Sequence, residues 1–353
     1  MAIRRMAAEG AIMESQFTAT GLWHDDFSSQ YEMMLMSKIA VVTHPPVLGD
    51  RKATIARAVQ LVTEASENGA GLIVFPEAFI PGYPTYIWRL RPGGDMALSG
   101  EIHAHMARQA VRLDGDTLDP LRSVAKQQEV DVMVGLHEID GTQSRATLFC
   151  TYVHIGNDGE FANIHRKMMP TNPERMVWGF GDGSGIRVVD TPVGRVGSLI
   201  CWENYMPLAR MALYAQGLEI YIAPTWDDTD GWQGTMQHIA REGRCYVVNC
   251  CAAMRGSDIP ADFPGRDQLF SDDEVINKGN SSVFAPGGNL IVGPIEGKPG
   301  IVYAEIDLAQ VRDSRRSLDV AGHYNRPDIF RFEVNRERQN SAIFLDHGPA
   351  ASS

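Results

Sequence analysis

Short, almost wholly apolar segments that alternate with amphipathic ones constrain the fold of this chain most. GLIVFPE (71–77) and EIYIAP (219–224) have the length and composition of strands that are buried on both faces. Residues 51–68 predict a helix with apolar side chains on one face, namely Ile55, Ala58, Val59 and Val62. Buried strands separated by such helices predict a layered α/β domain.

Two strand pairs in the middle of the chain predict hairpins. TLFCTYVHIG (147–156) meets EFANIH (160–165) across an Asn-Asp-Gly turn, and IRVVDT (186–191) meets RVGSLIC (195–201) across a Pro-Val-Gly turn. Hairpins among strands that otherwise alternate with helices predict mixed sheets. We expect one domain over residues 37–310, an N-terminal extension over 1–36, and a polar, Arg-rich arm and tail over 311–353.

Charge and composition exclude several classes of partner. The net charge of −12 argues against nucleic acid as a partner, since affinity for phosphates comes mainly from clustered Lys and Arg. No run reaches the ~18 consecutive apolar residues that a membrane helix needs. The five cysteines are irregularly spaced, which favours free thiols over a disulfide framework. The N-terminus lacks the apolar region of a secretory signal, so we expect a cytoplasmic protein without a membrane partner.

Three predicted strands each end at a polar residue, namely Glu77, Lys167 and Cys201. In α/β folds these strand ends open onto the crevice that binds the ligand. A thiol attacks well only when its proton is removed or its thiolate is stabilised. A carboxylate serves the first need and an ammonium group the second. Behind Cys201 we predict a helix over 205–216, with Asn204 as its cap and Pro207 in its first turn.

Each of these residues has a plainer interpretation when taken alone. Glu77 could cap the following segment, Lys167 belongs to a basic His-Arg-Lys run, and most cysteines are small core residues. A zinc site from His103, His105 and the Cys250-Cys251 pair lacks the usual ligand spacing. The three strand ends taken together favour a catalytic set.

The flanks of the three residues resemble the nitrilase superfamily of carbon-nitrogen hydrolases. FPEAFIPGYP (75–84), HRKMMPT (165–171) and CWENYMP (201–207) carry the resemblance, which runs from about residue 38 to about 332. Further segments resemble the nitrilase branch in particular: RMVWGFGDGSGIRVV, APTWDD, QHIAREGRCYVVN and GHYNRPDIF. The resemblance implies a four-layer αββα sandwich and homo-oligomers built from dimers.

By position, the resemblance implies Cys201 as nucleophile, Glu77 as general base and Lys167 as electrostatic stabiliser. It also implies a second, assisting glutamate, which we assign to Glu138 at the end of the strand VDVMVGLHE (130–138). The implied reaction converts a nitrile and water to a carboxylic acid and ammonia through a covalent thioimidate and a thioester. It needs no metal or organic cofactor.

The substrate pocket is expected to include Tyr83, Trp202 and Trp226, which follow or flank the catalytic strand ends. Aromatic walls suit an apolar or aryl nitrile, and the backbone N–H of Trp202 is placed to assist Lys167. Three alternatives stay open at this point: an amidase or carbamoylase of the same superfamily, a cyanide-hydrolysing enzyme, and a non-enzymatic binding domain. The last would be expected to have lost the Glu77, Lys167 and Cys201 set.

Overall fold

A computed structural model of the protein describes residues 36–141 and 144–342. Apart from Met36, the expected N-terminal extension lies outside the described residues, and so does the end of the predicted tail. The domain boundaries near residues 37 and 310 stay predictions. In the described part of the chain, no helix is long and apolar enough to cross a membrane.

Thirteen strands and seven α-helices make up the described chain. The strands are β1 (Met36–Val42), β2 (Leu72–Val74), β3 (Asp131–Ile139), β4 (Leu148–Ile155), β5 (Phe161–Arg166), β6 (Val188–Thr191), β7 (Gly194–Ser198), β8 (Ile220–Pro224), β9 (Tyr246–Cys250), β10 (Ala253–Arg255), β11 (Val275–Phe284), β12 (Leu290–Glu296) and β13 (Ile301–Asp307). The helices are α1 (Arg51–Glu67), α2 (Met96–Gln109), α3 (Asp119–Gln128), α4 (Pro207–Tyr214), α5 (Asp230–Gly243), α6 (Arg266–Leu269) and α7 (Ala309–Arg315).

The strands form two mixed sheets. One sheet has six strands in the order β13-β1-β2-β3-β4-β5, and the other has seven in the order β10-β11-β9-β8-β7-β6 with β12 beside β11. Parallel ladders join β1 to β2, β2 to β3, β7 to β8 and β8 to β9. The predicted hairpins are the antiparallel pairs β4–β5 and β6–β7. The prediction of mixed sheets is therefore confirmed.

Alternation along the strands divides the core into three apolar layers. In β1, Ile39 and Val41 face the other sheet, whereas Ala40 and Val42 face helices α1 and α3. The layer between the sheets contains residues of both, and a third layer lies between the seven-stranded sheet and helices α4 and α5. Helix, sheet, sheet and helix thus stack in the order that the αββα sandwich requires, which confirms the predicted fold class.

Helix α4 begins two residues later than predicted, and it is not capped by the residue that the sequence indicated. A five-residue 3-10 helix, Cys201–Tyr205, separates the sulfur from α4, and Pro207 occupies the first position of α4. Asn204 is buried and its amide donates to the carbonyl oxygens of Leu199 (2.9 Å) and Cys201 (2.7 Å). The predicted role of Asn204 as a helix cap is therefore wrong, because its side chain is used to hold the turn that carries Cys201.

Candidate active site

The three predicted strand ends converge on one buried cluster. Glu77 follows β2 and Lys167 follows β5 in the six-stranded sheet, while Cys201 follows β7 in the seven-stranded sheet. Exposed fractions are 1% for Glu77, 0% for Lys167 and 4% for Cys201. The Lys167 ammonium donates to Glu77 Oε1 over 2.7 Å, and both charged groups are close enough to Cys201 to shift the pKa of its thiol.

Lys167 is held between two carboxylates. Its Nζ lies 2.7 Å from Glu77 Oε1 and 2.6 Å from Glu174 Oε2, and its backbone N–H donates to the carbonyl of Cys150 over 2.7 Å. Burial lowers the pKa of Lys167, but the carboxylate of Glu77, with further anionic neighbours, raises it well above its ordinary value. Lys167 therefore remains a cation, which can stabilise a negative charge that develops nearby.

Glu174 was not predicted from the sequence, although it contacts Lys167. It lies in a 3-10 helix, Asn172–Met176, and accepts hydrogen bonds from Tyr83 Oη (2.6 Å) and the backbone N–H of Thr171 (2.7 Å). The local sequence Thr-Asn-Pro-Glu has the spacing of a capping box, and both of its hydrogen bonds are present. That sequence pattern predicts a local helix start and gives no indication of the contact between Glu174 and Lys167.

Glu138, predicted as the assisting glutamate, lies on the other face of the six-stranded sheet. Its carboxylate accepts from Arg166 Nε (2.9 Å), from Arg166 Nη2 and from Thr151 Oγ1 (2.7 Å). Successive strand residues face opposite sides, and Glu138 shares its side with Leu136 in the layer under the helices. The structure does not bring Glu138 to Lys167; the second carboxylate in contact with Lys167 is that of Glu174.

Glu77 is poised to exchange a proton near neutral pH. Burial is the main cause that raises its pKa to about 7, and Lys167 partly offsets this while Glu174 adds to it. Oε1 accepts from Lys167 and from the Cys150 thiol (3.6 Å). Among the described residues, Oε2 has no partner of normal hydrogen-bond geometry. The Cys201 thiol lies close enough to the Glu77 carboxyl to lower the pKa of Glu77 as a hydrogen-bond partner.

Cys201 adopts a backbone conformation that is rare for residues other than glycine. Its φ is +49°, in the left-handed region, where the chain turns from β7 into the 3-10 helix. The hydroxyl of Thr225 donates to the sulfur over 3.2 Å. Burial, followed by the nearby Glu77 carboxylate, raises the pKa of the Cys201 thiol above its ordinary value, and Lys167 opposes this. The resting sulfur is therefore a thiol, which needs a base.

A pocket of about 420 Å³ leads to Cys201 and is lined by all three predicted substrate-binding residues. The rings of Tyr83 and Trp226 stack with their centroids 4.7 Å apart. Trp202 is 46% exposed at the pocket, and its indole N–H donates to Asp227 Oδ2 over 2.9 Å. Further lining residues include Trp88, Ile276, Glu174, Asp227, Asp228 and Asn277. The pocket that contains Cys201 is thus lined by aromatic and apolar side chains together with several polar and acidic groups.

The part of the chain that the structure describes contains no group of three or more His, Cys, Asp or Glu side chains arranged to hold a metal ion. Near Cys201, the Lys167 ammonium is bonded to the carboxylates of Glu77 and Glu174. The arrangement therefore joins a buried thiol, a carboxylate that titrates near neutrality and a fixed cation at the base of an aromatic pocket. Such a set can carry out nucleophilic attack and proton transfer at an electrophilic carbon.

Comparison with known proteins identifies relatives over most of the chain. Residues 38–316 match the family "Carbon-nitrogen hydrolase". Nitrilase 1 of Arabidopsis thaliana is 38% identical over 323 residues, covering 87% of this chain and 89% of the relative. The "Aliphatic nitrilase" of Sinorhizobium fredii is 38% identical over 311 residues, with 88% and 99% covered. The "Bifunctional nitrilase/nitrile hydratase NIT4A" of Nicotiana tabacum is 37% identical over 321 residues, with 90% and 91% covered.

Solved structures share the fold at lower sequence identity. Saccharomyces cerevisiae Nit3, described as a member of branch 10 of the nitrilase superfamily, matches with a TM-score of 0.64 and 20% identity, over 82% of this chain and 97% of that one. A carbon-nitrogen hydrolase of Helicobacter pylori matches with a TM-score of 0.64 and 21% identity, over 84% and 97%. The family match and the curated relatives together place this chain in the carbon-nitrogen hydrolase family, among the nitrilases of the nitrilase superfamily.

Proposed function

We infer that this protein is a nitrilase, a hydrolase that converts an organic nitrile and two water molecules to a carboxylic acid and ammonia. The observation that carries the inference is the buried contact of Lys167 with Glu77 and Glu174, next to the Cys201 thiol at the base of an aromatic pocket. The relatives named nitrilases agree with this chemistry.

The first step forms a bond between sulfur and carbon. Glu77 accepts the proton of the Cys201 thiol as the sulfur attacks the nitrile carbon, and passes the same proton to the nitrile nitrogen to give a covalent thioimidate. The Lys167 ammonium and the backbone N–H of Trp202 stabilise the charge on that nitrogen; removing one such donor typically costs about 10²-fold in rate. With a pKa of about 7, Glu77 can both accept the thiol proton and donate it to the nitrogen near neutral pH.

Two hydrolytic steps complete the cycle. Water loses a proton to Glu77 and adds to the thioimidate carbon, and Glu77 passes that proton to the nitrogen, so that the carbon carries sulfur, a hydroxyl and an amino group. The hydroxyl proton then moves through Glu77 to the nitrogen, which leaves as ammonia, and a thioester remains. A second water, activated by the same carboxylate, releases the acid and returns the Cys201 thiol.

Glu174 takes the assisting position in this scheme. Its hydrogen bonds from Lys167 and Tyr83 fix the ammonium group relative to Glu77. Its negative charge also raises the pKa of Glu77. Because the catalytic lysine lies between two carboxylates, it is expected to keep one orientation through the cycle.

Intact-protein mass spectrometry tests the scheme directly. We expect the wild-type protein, mixed with an aryl or aliphatic nitrile, to gain the mass of a covalent adduct and to release ammonia and acid. The matched variant Cys201→Ala is expected to show neither the adduct nor turnover. Hydrolysis of nitriles by Cys201→Ala at the wild-type rate would show that the mechanism is wrong.

A panel of nitriles and matching amides distinguishes the related activities. Ammonia released from amides alone would identify an amidase or carbamoylase, and formate or formamide from cyanide would identify a cyanide-hydrolysing enzyme. Some amide product from nitriles is compatible with the present scheme, because the intermediate that carries sulfur, hydroxyl and amino groups can expel sulfur. The tobacco relative is named for a nitrile hydratase activity as well as for nitrilase.

We also propose that the protein assembles into homo-oligomers in the cytoplasm. Large apolar side chains in the C-terminal arm are exposed, with Phe330 at 70%, and they would be covered in an assembly. The five cysteines all lie in the described residues and are buried, free thiols, as expected in a reducing compartment. Light scattering on the purified chain should give a multiple of 38.9 kDa, and cell fractionation should recover the protein with cytoplasmic markers.

A further inference from the structure

The catalytic groups come from two different sheets, and this raises the question of what fixes the distance between them. Glu77 and Lys167 belong to the six-stranded sheet, whereas Cys201 follows β7 of the seven-stranded sheet. Backbone ladders set positions within one sheet only. A bond that joins the two sheets close to the sulfur is therefore needed to set the separation of Cys201 and Lys167.

The buried carboxylate of Glu203 makes such a connection. Its Oε2 accepts from the backbone N–H of Ile200 (2.7 Å), and its Oε1 accepts from the backbone N–H of Met168 (2.6 Å). His165 Nε2 lies 2.9 Å from Oε2 and 3.2 Å from Oε1. Ile200 directly precedes the nucleophile and Met168 directly follows the lysine, so one carboxylate holds the two peptide segments that carry these groups.

The surroundings of Glu203 are built to keep it charged and rigid. Its side chain is fully buried. Burial would raise its pKa, but the charge and hydrogen bond of His165 and the two backbone donors lower the pKa below its ordinary value. A buried carboxylate with several donors is held in one orientation, because any rotation leaves a buried N–H without a partner.

We propose that Glu203 is a positioning residue that sets the separation of the Cys201 sulfur from the Lys167 ammonium and thereby the balance of acid and amide products. The proposal rests on the nitrile hydrolysis inferred above. The intermediate that decides the products has sulfur, a hydroxyl and an amino group on one carbon. When the nitrogen takes a proton and leaves as ammonia, the thioester and then the acid form. When the sulfur leaves and regains its proton, the amide forms.

The walls of the pocket have contacts that do not involve Glu203. Tyr83 bonds to Glu174 and stacks on Trp226, and the Trp202 indole bonds to Asp227. A change at Glu203 is therefore expected to disturb the reacting groups more than substrate binding. This predicts a loss in kcat with little change in KM.

The variant Glu203→Gln tests the proposal. An amide presents one oxygen and one NH2 group, so no orientation of the side chain satisfies both the Ile200 and the Met168 backbone donors. We expect kcat to fall by about 10²-fold, as a misplacement of about 1 Å does elsewhere, with KM nearly unchanged. We also expect the amide share of the product to rise above that of the wild type.

Asp131→Asn provides the matched control. Asp131 accepts from His154 over 2.7 Å, and this pair is a second buried histidine–carboxylate pair, at the start of β3 in the six-stranded sheet. The control should lose stability but keep the wild-type kcat and amide share. If Glu203→Gln does not fold, Glu203→Asp replaces it, because the shorter carboxylate keeps its charge but cannot reach both backbone donors.

The outcomes separate the proposal from the function on which it rests. A wild-type protein that forms the Cys201 adduct, together with a folded Glu203 variant of normal kcat and amide share, would overturn the positioning role alone. The proposal would also be overturned if Asp131→Asn changed kcat and amide share as much as Glu203→Gln does. Such changes would then reflect a general loss of rigidity in the fold. A wild-type protein without any adduct or product from nitriles would instead contradict the proposed function.

Discussion

Two neighbouring cations, Arg166 and Lys167, lie at the end of one strand and serve different purposes. Each is buried and pairs with a glutamate, Arg166 with Glu138 and Lys167 with Glu174. Lys167 faces the space between the sheets and meets Glu77 near the sulfur, while Arg166 faces the other side and packs its guanidinium 4.0 Å from the centroid of the Phe149 ring. Because successive residues face opposite sides of the sheet, only the ion pair of Lys167 lies close enough to Cys201 to take part in a reaction at the sulfur.

Replacing the lysine should have the largest effect. We expect Lys167→Met to reduce kcat by about 10³-fold or more, because the cation that stabilises the developing charge is lost and two buried carboxylates are left facing each other. Steady-state kinetics on a nitrile would measure the loss, and circular dichroism would confirm the fold. A folded Lys167→Met protein with kcat within tenfold of the wild type would show that the cation is not needed.

Replacing its second partner should have the next largest effect. Glu174→Gln keeps the size of the side chain but removes one charge from beside Lys167, and we expect kcat to fall by about 10²-fold. Because the Glu174 carboxylate contributes to raising the pKa of Glu77, its removal should lower that pKa.

The pH dependence gives this variant a second measurement. Glu77 acts as a base only when ionised, so kcat/KM of the wild type should rise with pH through a midpoint near 7. In Glu174→Gln the midpoint should move to lower pH. A midpoint that stays in place, or that moves upward, would contradict the electrostatic coupling between the two glutamates.

A smaller effect is expected at the hydroxyl that holds Glu174. Tyr83→Phe removes the 2.6 Å hydrogen bond to Glu174 but keeps the ring that stacks on Trp226. We expect kcat to fall by about 10-fold, in line with the loss of one hydrogen bond to a charged group. KM for an aryl nitrile should change little, and a large rise in KM with normal kcat would assign Tyr83 to substrate binding alone.

The smallest effect on catalysis is expected at the other ion pair. Glu138→Gln removes the nearer of the two buried carboxylates beside Arg166, the other being Asp140 at 4.0 Å, and this should cost up to about 3 kcal/mol of stability. Thermal unfolding should show a lower melting temperature, while kcat at 25 °C should stay within a few fold of the wild type. A loss of kcat as large as that of Glu174→Gln would restore Glu138 to the catalytic set.

The sequence predicted most of the fold because long segments with clear periodicity depend mainly on local preferences and on burial. The predicted helix over 51–68 and both central hairpins agree with the structure to within a few residues. Helix α2 was not predicted; of its fourteen residues only Ile102 and Met106 are buried, which leaves almost no apolar period to detect. The start of α4 was misplaced because Asn204 caps nothing and instead bonds to the turn around Cys201.

Among the site residues, the sequence was reliable where a residue directly follows a buried strand. Glu77, Lys167 and Cys201 were predicted together because each follows a strand and because their flanks resemble a known family, although the structure brings them together from two different sheets. Alternation along β3 turns Glu138 away from Lys167, and the sequence pattern alone did not show this. Glu174 was not predicted, because its local sequence indicates only a helix start.

The sequence by itself determined the layered α/β class, the strand ends that carry the reactive groups and the chemistry that those groups can perform. Only the tertiary structure decided that Glu174 is the second glutamate at Lys167, which oxygen of Glu77 accepts from Lys167, and how Glu203 joins the two sheets. The physical reason is that periodicity and composition record how each segment is buried. Contacts between side chains from different segments depend on register, face and the packing of one sheet on the other.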